Sequence, residues 1–103
     1  MKDKLDDLVE RIKKFRAERN WKGNLKDLAI STLLEASELL EIFQWIPEND
    51  LEKLDDRKIE HIKDEIADVF IYLVAMCDKL KAEFYEVVLN KLEKTAKRYP
   101  VKE

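Results

Sequence analysis

Residues that bend or bridge a chain are scarce in this sequence. Among 103 residues there are one Gly, two Pro and one Cys. So little turn and strand chemistry makes an all-α fold the first expectation. Cys77 has no partner for an internal disulfide, and the opening Met-Lys-Asp-Lys-Leu-Asp-Asp lacks the apolar segment of a secretory signal, which points to a reducing cytoplasm. No apolar run approaches the roughly 18 residues of a membrane span. Twenty Lys and Arg against 23 Asp and Glu give a formal charge of −3 without a long basic run, so no DNA or RNA partner is expected.

Catalytic motifs are missing in the same informative way. There is no Gly-rich phosphate loop, no Cys-x-x-Cys and no Gly-x-Ser-x-Gly, which leaves nucleophilic catalysis by Ser or Cys without support. The lone His61 is preceded three residues earlier by Lys58, so the Glu-x-x-His pairs of a di-iron bundle are absent. His61 reads as a surface residue or one that supports a site from behind, and Cys77, beside Val74, Ala75 and Met76, as a small core residue.

What remains is charge and apolar surface, 42 % and 46 % of the chain, interleaved at helical spacing. Leu5, Leu8, Val9, Ile12 and Phe15 recur every three or four residues and predict a helix from about Lys2 to Arg19. Trp21-Lys22-Gly23 breaks it. Asn24, with Asp27 three residues on, starts a second helix reaching about Trp45. Ile46 to Asp50 is a loop, since Pro47 disfavours helix in the residue before it. A helical turn is expected over Leu51 to Leu54, then a third helix from Asp55 to about Leu80 and a fourth from Phe84 to Arg98, stopped by Tyr99-Pro100. Lys81-Ala82-Glu83 holds neither Gly nor Pro, so the last two helices could also run together. The pattern predicts one helical domain over 1–103, an antiparallel bundle of about four helices.

Seven acidic pairs stand three residues apart in this chain, so spacing alone selects nothing. Position on the helix does. Glu35 falls at an angle between Leu28, Leu39 and Ile42, with Ser31 and Glu38 beside it, and Glu65 and Asp68 share a sector with Val69, Tyr72 and Met76. Asp3, Asp6, Asp7 and Glu10 lie on the polar side of their helix. The second helix is apolar on most of its circumference through Ile30, Leu33, Ala36, Leu40 and Phe43, so it should be largely enclosed. Carboxylates on an enclosed helix are costly unless they are paired or bind metal. Pairing with Lys or Arg from a neighbouring helix is the alternative. Few cations share those two faces, which favours a cation held among Glu35, Glu38, Glu65 and Asp68, and an all-oxygen site suits Mg²⁺, with Mn²⁺ as substitute.

Glu-x-x-Glu followed after 26 residues by Glu-x-x-Asp resembles the all-α MazG-like nucleoside triphosphate pyrophosphohydrolases. The resemblance extends over Phe15-Arg16-Ala17-Glu18-Arg19-Asn20-Trp21, Glu38-Leu39-Leu40-Glu41-Ile42-Phe43-Gln44-Trp45, Asp64 to Leu73, and Lys91 with Lys97-Arg98-Tyr99-Pro100-Val101, and is closest to the dCTP pyrophosphatase branch. It implies hydrolysis between the α and β phosphorus, with Glu35, Glu38, Glu65 and Asp68 as Mg²⁺ ligands; a carboxylate not fully engaged by metal can take the proton of the attacking water, and of the four Glu38 is chosen for that role, which the resemblance does not assign. Trp21, Trp45 and Tyr72 would be walls for the nucleobase, each worth roughly 1 to 3 kcal/mol of stacking. Lys91, Lys97 and Arg98 would hold the outer phosphates across a subunit interface, in a homodimer or homotetramer; without the resemblance they read as a solvated basic face that offsets the helix dipole. Three departures concern the substrate. Only Lys22 and Gly23 separate Trp21 from Asn24, Thr95 stands where many relatives have Asn, and Ile12 stands where dCTP-specific members carry His. House-cleaning of dCTP-like or non-canonical nucleotides fits that pattern. The competing expectation is a non-catalytic helical module that binds a protein partner through its apolar faces.

Overall fold

A computed structural model of the chain describes residues 3–102. Four α-helices and one short 3₁₀ turn make up its regular structure, with no strand among the described residues. Three of the four helices begin at a side-chain cap. Asp3 accepts from the Asp6 N–H at 2.8 Å to start α1 (Lys4–Glu18), Asn24 from Asp27 at 2.8 Å to start α2 (Leu25–Gln44), and Asp55 from Lys58 at 2.8 Å to start α3 (Asp56–Lys79). The fourth helix, α4 (Phe84–Arg98), follows Glu83, whose side chain makes no capping bond. The expected start of α1 at about Lys2 lies outside the described residues. The turn expected over Leu51 to Leu54 falls earlier, at Glu48–Asp50, because Pro47 leads into it with the Asp50 N–H closing on the Pro47 carbonyl at 2.8 Å.

Two helix ends share one device. Asn20 and Lys81 are the non-Gly residues at positive φ, 54° and 55°. At each, two N–H groups turn back onto the helix: Asn20 and Trp21 onto Ala17 and Arg16, Lys81 and Ala82 onto Asp78 and Cys77. This is the Schellman closure, and it separates α3 from α4 without Gly or Pro.

Antiparallel pairing of α2 and α3 is the main packing contact. Thr32 near the start of α2 meets Met76 near the end of α3, while Glu35 meets Glu65 further along, so residue numbers rise on one helix as they fall on the other. Helix α1 crosses α3, where Val9, Ile12 and Val74 form a small core flanked by Leu5, Phe70 and Phe84. The N-terminus of α4 is fixed there by Phe84, whose ring meets Phe70 edge-on at 5.0 Å. Beyond Leu89 every described residue of the chain is exposed.

The fold leaves much apolar surface bare. The accessible area is 8959 Å², against roughly 6,100 Å² for a folded monomer of this mass. The radius of gyration is 16.7 Å, against about 13 Å for a compact chain of this length. Helix α2 is not enclosed as its sequence led us to expect. One side packs on α3, and Leu33, Leu34 and Leu40 on the others are 68 %, 57 % and 63 % exposed. No helix among the described residues is long and apolar enough to cross a membrane.

Candidate functional site

Residues three apart on an α-helix share a face, so the α2–α3 pairing sets Glu35 and Glu38 against Glu65 and Asp68. One carboxylate oxygen from each of Glu35, Glu38 and Glu65 lies within 4.8 Å of the other two. Glu65 is buried, Glu35 half-buried and Glu38 exposed. Oε2 of Glu35 and Oε2 of Glu65 are both buried without a hydrogen-bond partner. Asp68 is not in that triad. It is half-buried and lines the adjoining cavity, near enough for its charge to act on Glu35.

Crowding of like charges shows in the acidity of Glu35. Its pKa is pushed up from 4.5 to about 7, first by the Glu65 carboxyl facing it, then by burial, then by the neighbouring carboxyl and charge of Glu38 and the charge of Asp68. Without a cation, the folded chain holds a proton here that a solvated glutamate would release. Two orphaned carboxylate oxygens and an all-oxygen donor set fit a hard divalent cation, and among the described residues no nitrogen or sulfur ligand joins the cluster. His61 stands at its edge, with Nε2 3.4 Å from Glu65 Oε1 and the ring more than half exposed. Lys58 and His61 border a cavity of about 480 Å³ with Glu38 and Glu41.

On the other flank, α1 and α3 enclose an open cavity of about 680 Å³ that includes Ile12, Phe15, Trp21, Asp68, Ile71 and Tyr72 in its walls. Left-handed Asn20 turns the chain back so that Trp21 meets Phe15 edge-on at 5.6 Å. The following segment is held close to α2: a Cβ on Gly23 would lie 3.0 Å from Cγ of Leu28, a residue only 3 % exposed. Across the cavity, Arg16 places its guanidinium carbon 5.9 Å from the ring centroids of both Trp21 and Tyr72. The arrangement joins an acid cluster to an aromatic-walled chamber through Asp68.

Of the residues singled out from sequence, the structure brings Glu35, Glu38 and Glu65 together, with Asp68, Trp21 and Tyr72 around the adjoining cavity. It does not bring Trp45, Lys91, Lys97 or Arg98 to them within one chain. Trp45 ends α2 at 83 % exposure, and the three cations stand on the exposed part of α4. Phe15 and Arg16 were not identified as site residues. Arg16 carried a usable signal: it follows Ile12 by four residues and Val9 by seven, a cation in the apolar stripe of α1.

Comparison with known proteins identifies the family and the fold. The family model described as MazG-like matches residues 30–103. Two relatives are dCTP pyrophosphatase 1 from Bos taurus, 31 % identical over 101 residues and 94 % of this chain, and dCTP pyrophosphatase 1 from Homo sapiens, 30 % identical over 100 residues and 93 % of this chain. The chain spans about 60 % of the length of these curated relatives. The crystal structure of a pyrophosphatase from Archaeoglobus fulgidus superimposes with a TM-score of 0.84 at 36 % identity, covering 98 % of this chain and 96 % of that one. The chain belongs to the MazG-like family.

Proposed function

We propose that this protein is a Mg²⁺-dependent nucleotide pyrophosphohydrolase, which cleaves a (deoxy)nucleoside triphosphate into the monophosphate and pyrophosphate. The observation that carries the reading is the cluster of Glu35, Glu38 and Glu65, with two orphaned buried oxygens, beside a cavity walled by Phe15, Trp21 and Tyr72. The names of the relatives, dCTP pyrophosphatase and pyrophosphatase, support the same chemistry.

In this reading Glu35, Glu38, Glu65 and Asp68 hold Mg²⁺, or Mn²⁺ in its place. The bound ion supplies neutralisation of phosphate charge and a lowered pKa for a water molecule. Glu38 is the exposed member of the triad, so its carboxylate is open to solvent and takes the proton of the attacking water. Trp21 and Tyr72 offer flat faces to the base, while Ile12 and Ile71 keep water from that wall. Trp45, Lys91, Lys97 and Arg98 act from a second copy, in a homodimer or a homotetramer that covers the bare faces of α2 and α4. The setting is the cytoplasm and the substrate a dCTP-like or non-canonical nucleotide.

A panel of triphosphates with Mg²⁺ tests this directly. Pyrophosphate should appear with at least one of them and stop on chelation, and Glu38→Gln should slow release by about 10² to 10⁴-fold, the usual contribution of a positioned acid or base. Orthophosphate as the only product would overturn the assignment. Inactivity across the panel would return the chain to the non-catalytic helical module.

A further inference from the structure

Arg16 is charged, half-buried and unexplained by its neighbours. It sits on the apolar side of α1 and borders the large cavity as well as two smaller ones beside it. Among the described residues no carboxylate lies within 4.0 Å of its guanidinium, and its side chain makes no hydrogen bond. A guanidinium carries five N–H donors, and a half-buried one left without acceptors loses hydration for nothing in return. Attraction to the faces of Trp21 and Tyr72 offsets part of that loss and holds the group between two rings. The arrangement is a prepared donor awaiting an acceptor.

We propose that Arg16 determines which base the cavity accepts, pairing through two N–H donors with a base edge that offers a carbonyl oxygen next to an unprotonated ring nitrogen. The inference rests on the pyrophosphohydrolase reading, because it takes the cavity as the base site. A guanidinium is a planar fork whose parallel donors match two adjacent acceptors lying in one plane. Cytosine offers such a pair through O2 and N3, guanine through O6 and N7. Uracil and thymine interrupt theirs with a ring N–H, and adenine places an amino group beside its exposed ring nitrogen. Rings on either side suit this task, since a base stacked on Trp21 or Tyr72 brings its edge toward the guanidinium. A phosphate oxygen would also accept from Arg16, but the contact would then be indifferent to the base.

The experiment compares kcat/KM for cytosine, guanine, uracil and adenine triphosphates on the wild-type protein, Arg16→Ala and Arg16→Lys, with circular dichroism to verify folding. A second arm measures binding of the corresponding monophosphates without metal by calorimetry. The wild type should prefer the cytosine or the guanine nucleotide. Arg16→Ala should lose about tenfold or more of that preference, in both kcat/KM and affinity, with the uracil and adenine values falling far less than those of the preferred nucleotide. Arg16→Lys keeps the charge but not the fork, and should lose the preference as well. Equal losses for every base, or full preference retained in Arg16→Ala, would overturn the proposal. If no triphosphate yields pyrophosphate with the wild type, the function reading fails, and the monophosphate arm still decides whether Arg16 reads a base edge.

Discussion

At the scale of single residues, Glu35 ties stability to pH. Its folded pKa of about 7 lies above the ordinary 4.5, so folding favours the protonated form. That contribution is fully present below about pH 4.5 and is lost as pH rises through about 7. The metal-free protein should therefore melt at progressively lower temperature between about pH 5 and about pH 8, while Mg²⁺, which needs the ionised cluster, should raise the melting temperature most at the alkaline end. Calorimetry with and without Mg²⁺ measures both trends, and a metal-free melting temperature that climbs across this range would contradict the crowded cluster. Glu35→Gln should flatten the dependence. Gly23 gives a second residue-scale prediction. The side chain of Ala at this position would press on Leu28, which is buried and has little room to move, so Gly23→Ala should cost about 1 to 3 kcal/mol in urea unfolding at matched protein concentration.

Helix ends carry the element-scale lesson. Lys81 pays for the closure of α3 with a left-handed backbone that disfavours any residue with a Cβ. Lys81→Gly should relieve about 1 to 2 kcal/mol of strain and give back about 0.5 to 1 kcal/mol through the freer unfolded chain, a net gain visible as a melting temperature a few degrees higher. No gain would mean that the strain is absorbed elsewhere. The same junction marks a limit of sequence reading. Asn24 and Asp55 announce their helices through side-chain chemistry that acts within four residues, so both starts were legible. The break after Leu80 depends on a backbone state that Lys does not advertise, and the boundary stayed open until the hydrogen bonds from Lys81 and Ala82 were seen. The grouping of Glu35, Glu38 and Glu65 was legible for a related reason: three-residue spacing on a helix face is a local property, and antiparallel pairing needed only to set the faces together. Phe15 and Arg16 joined the site through the turn at Asn20 and the crossing of α1 over α3, which no local pattern encodes.

For the whole molecule, bare area decides the argument. The core of Val9, Ile12 and Val74 is small for four helices, and Leu33, Leu34 and Leu40 of α2 together with Val88 and Leu92 of α4 form faces that the other described residues leave about half or more exposed. Light scattering at roughly micromolar concentration should give a dimer or tetramer, and Leu34→Glu, on an exposed part of α2, should shift the population toward monomer and lower activity with it. A stable wild-type monomer would contradict the assembly. Within one chain Glu35, Glu38 and Glu65 lie together beside the cavity lined by Asp68, Trp21 and Tyr72, yet few residues are buried beneath them. In a dimer or tetramer that covers these faces, folding and association would become a single equilibrium, and the amount of protein would enter the stability itself. Dilution would then act as a denaturant: a preparation that is fully active when concentrated should lose activity steeply as it is diluted, at constant temperature, pH and Mg²⁺.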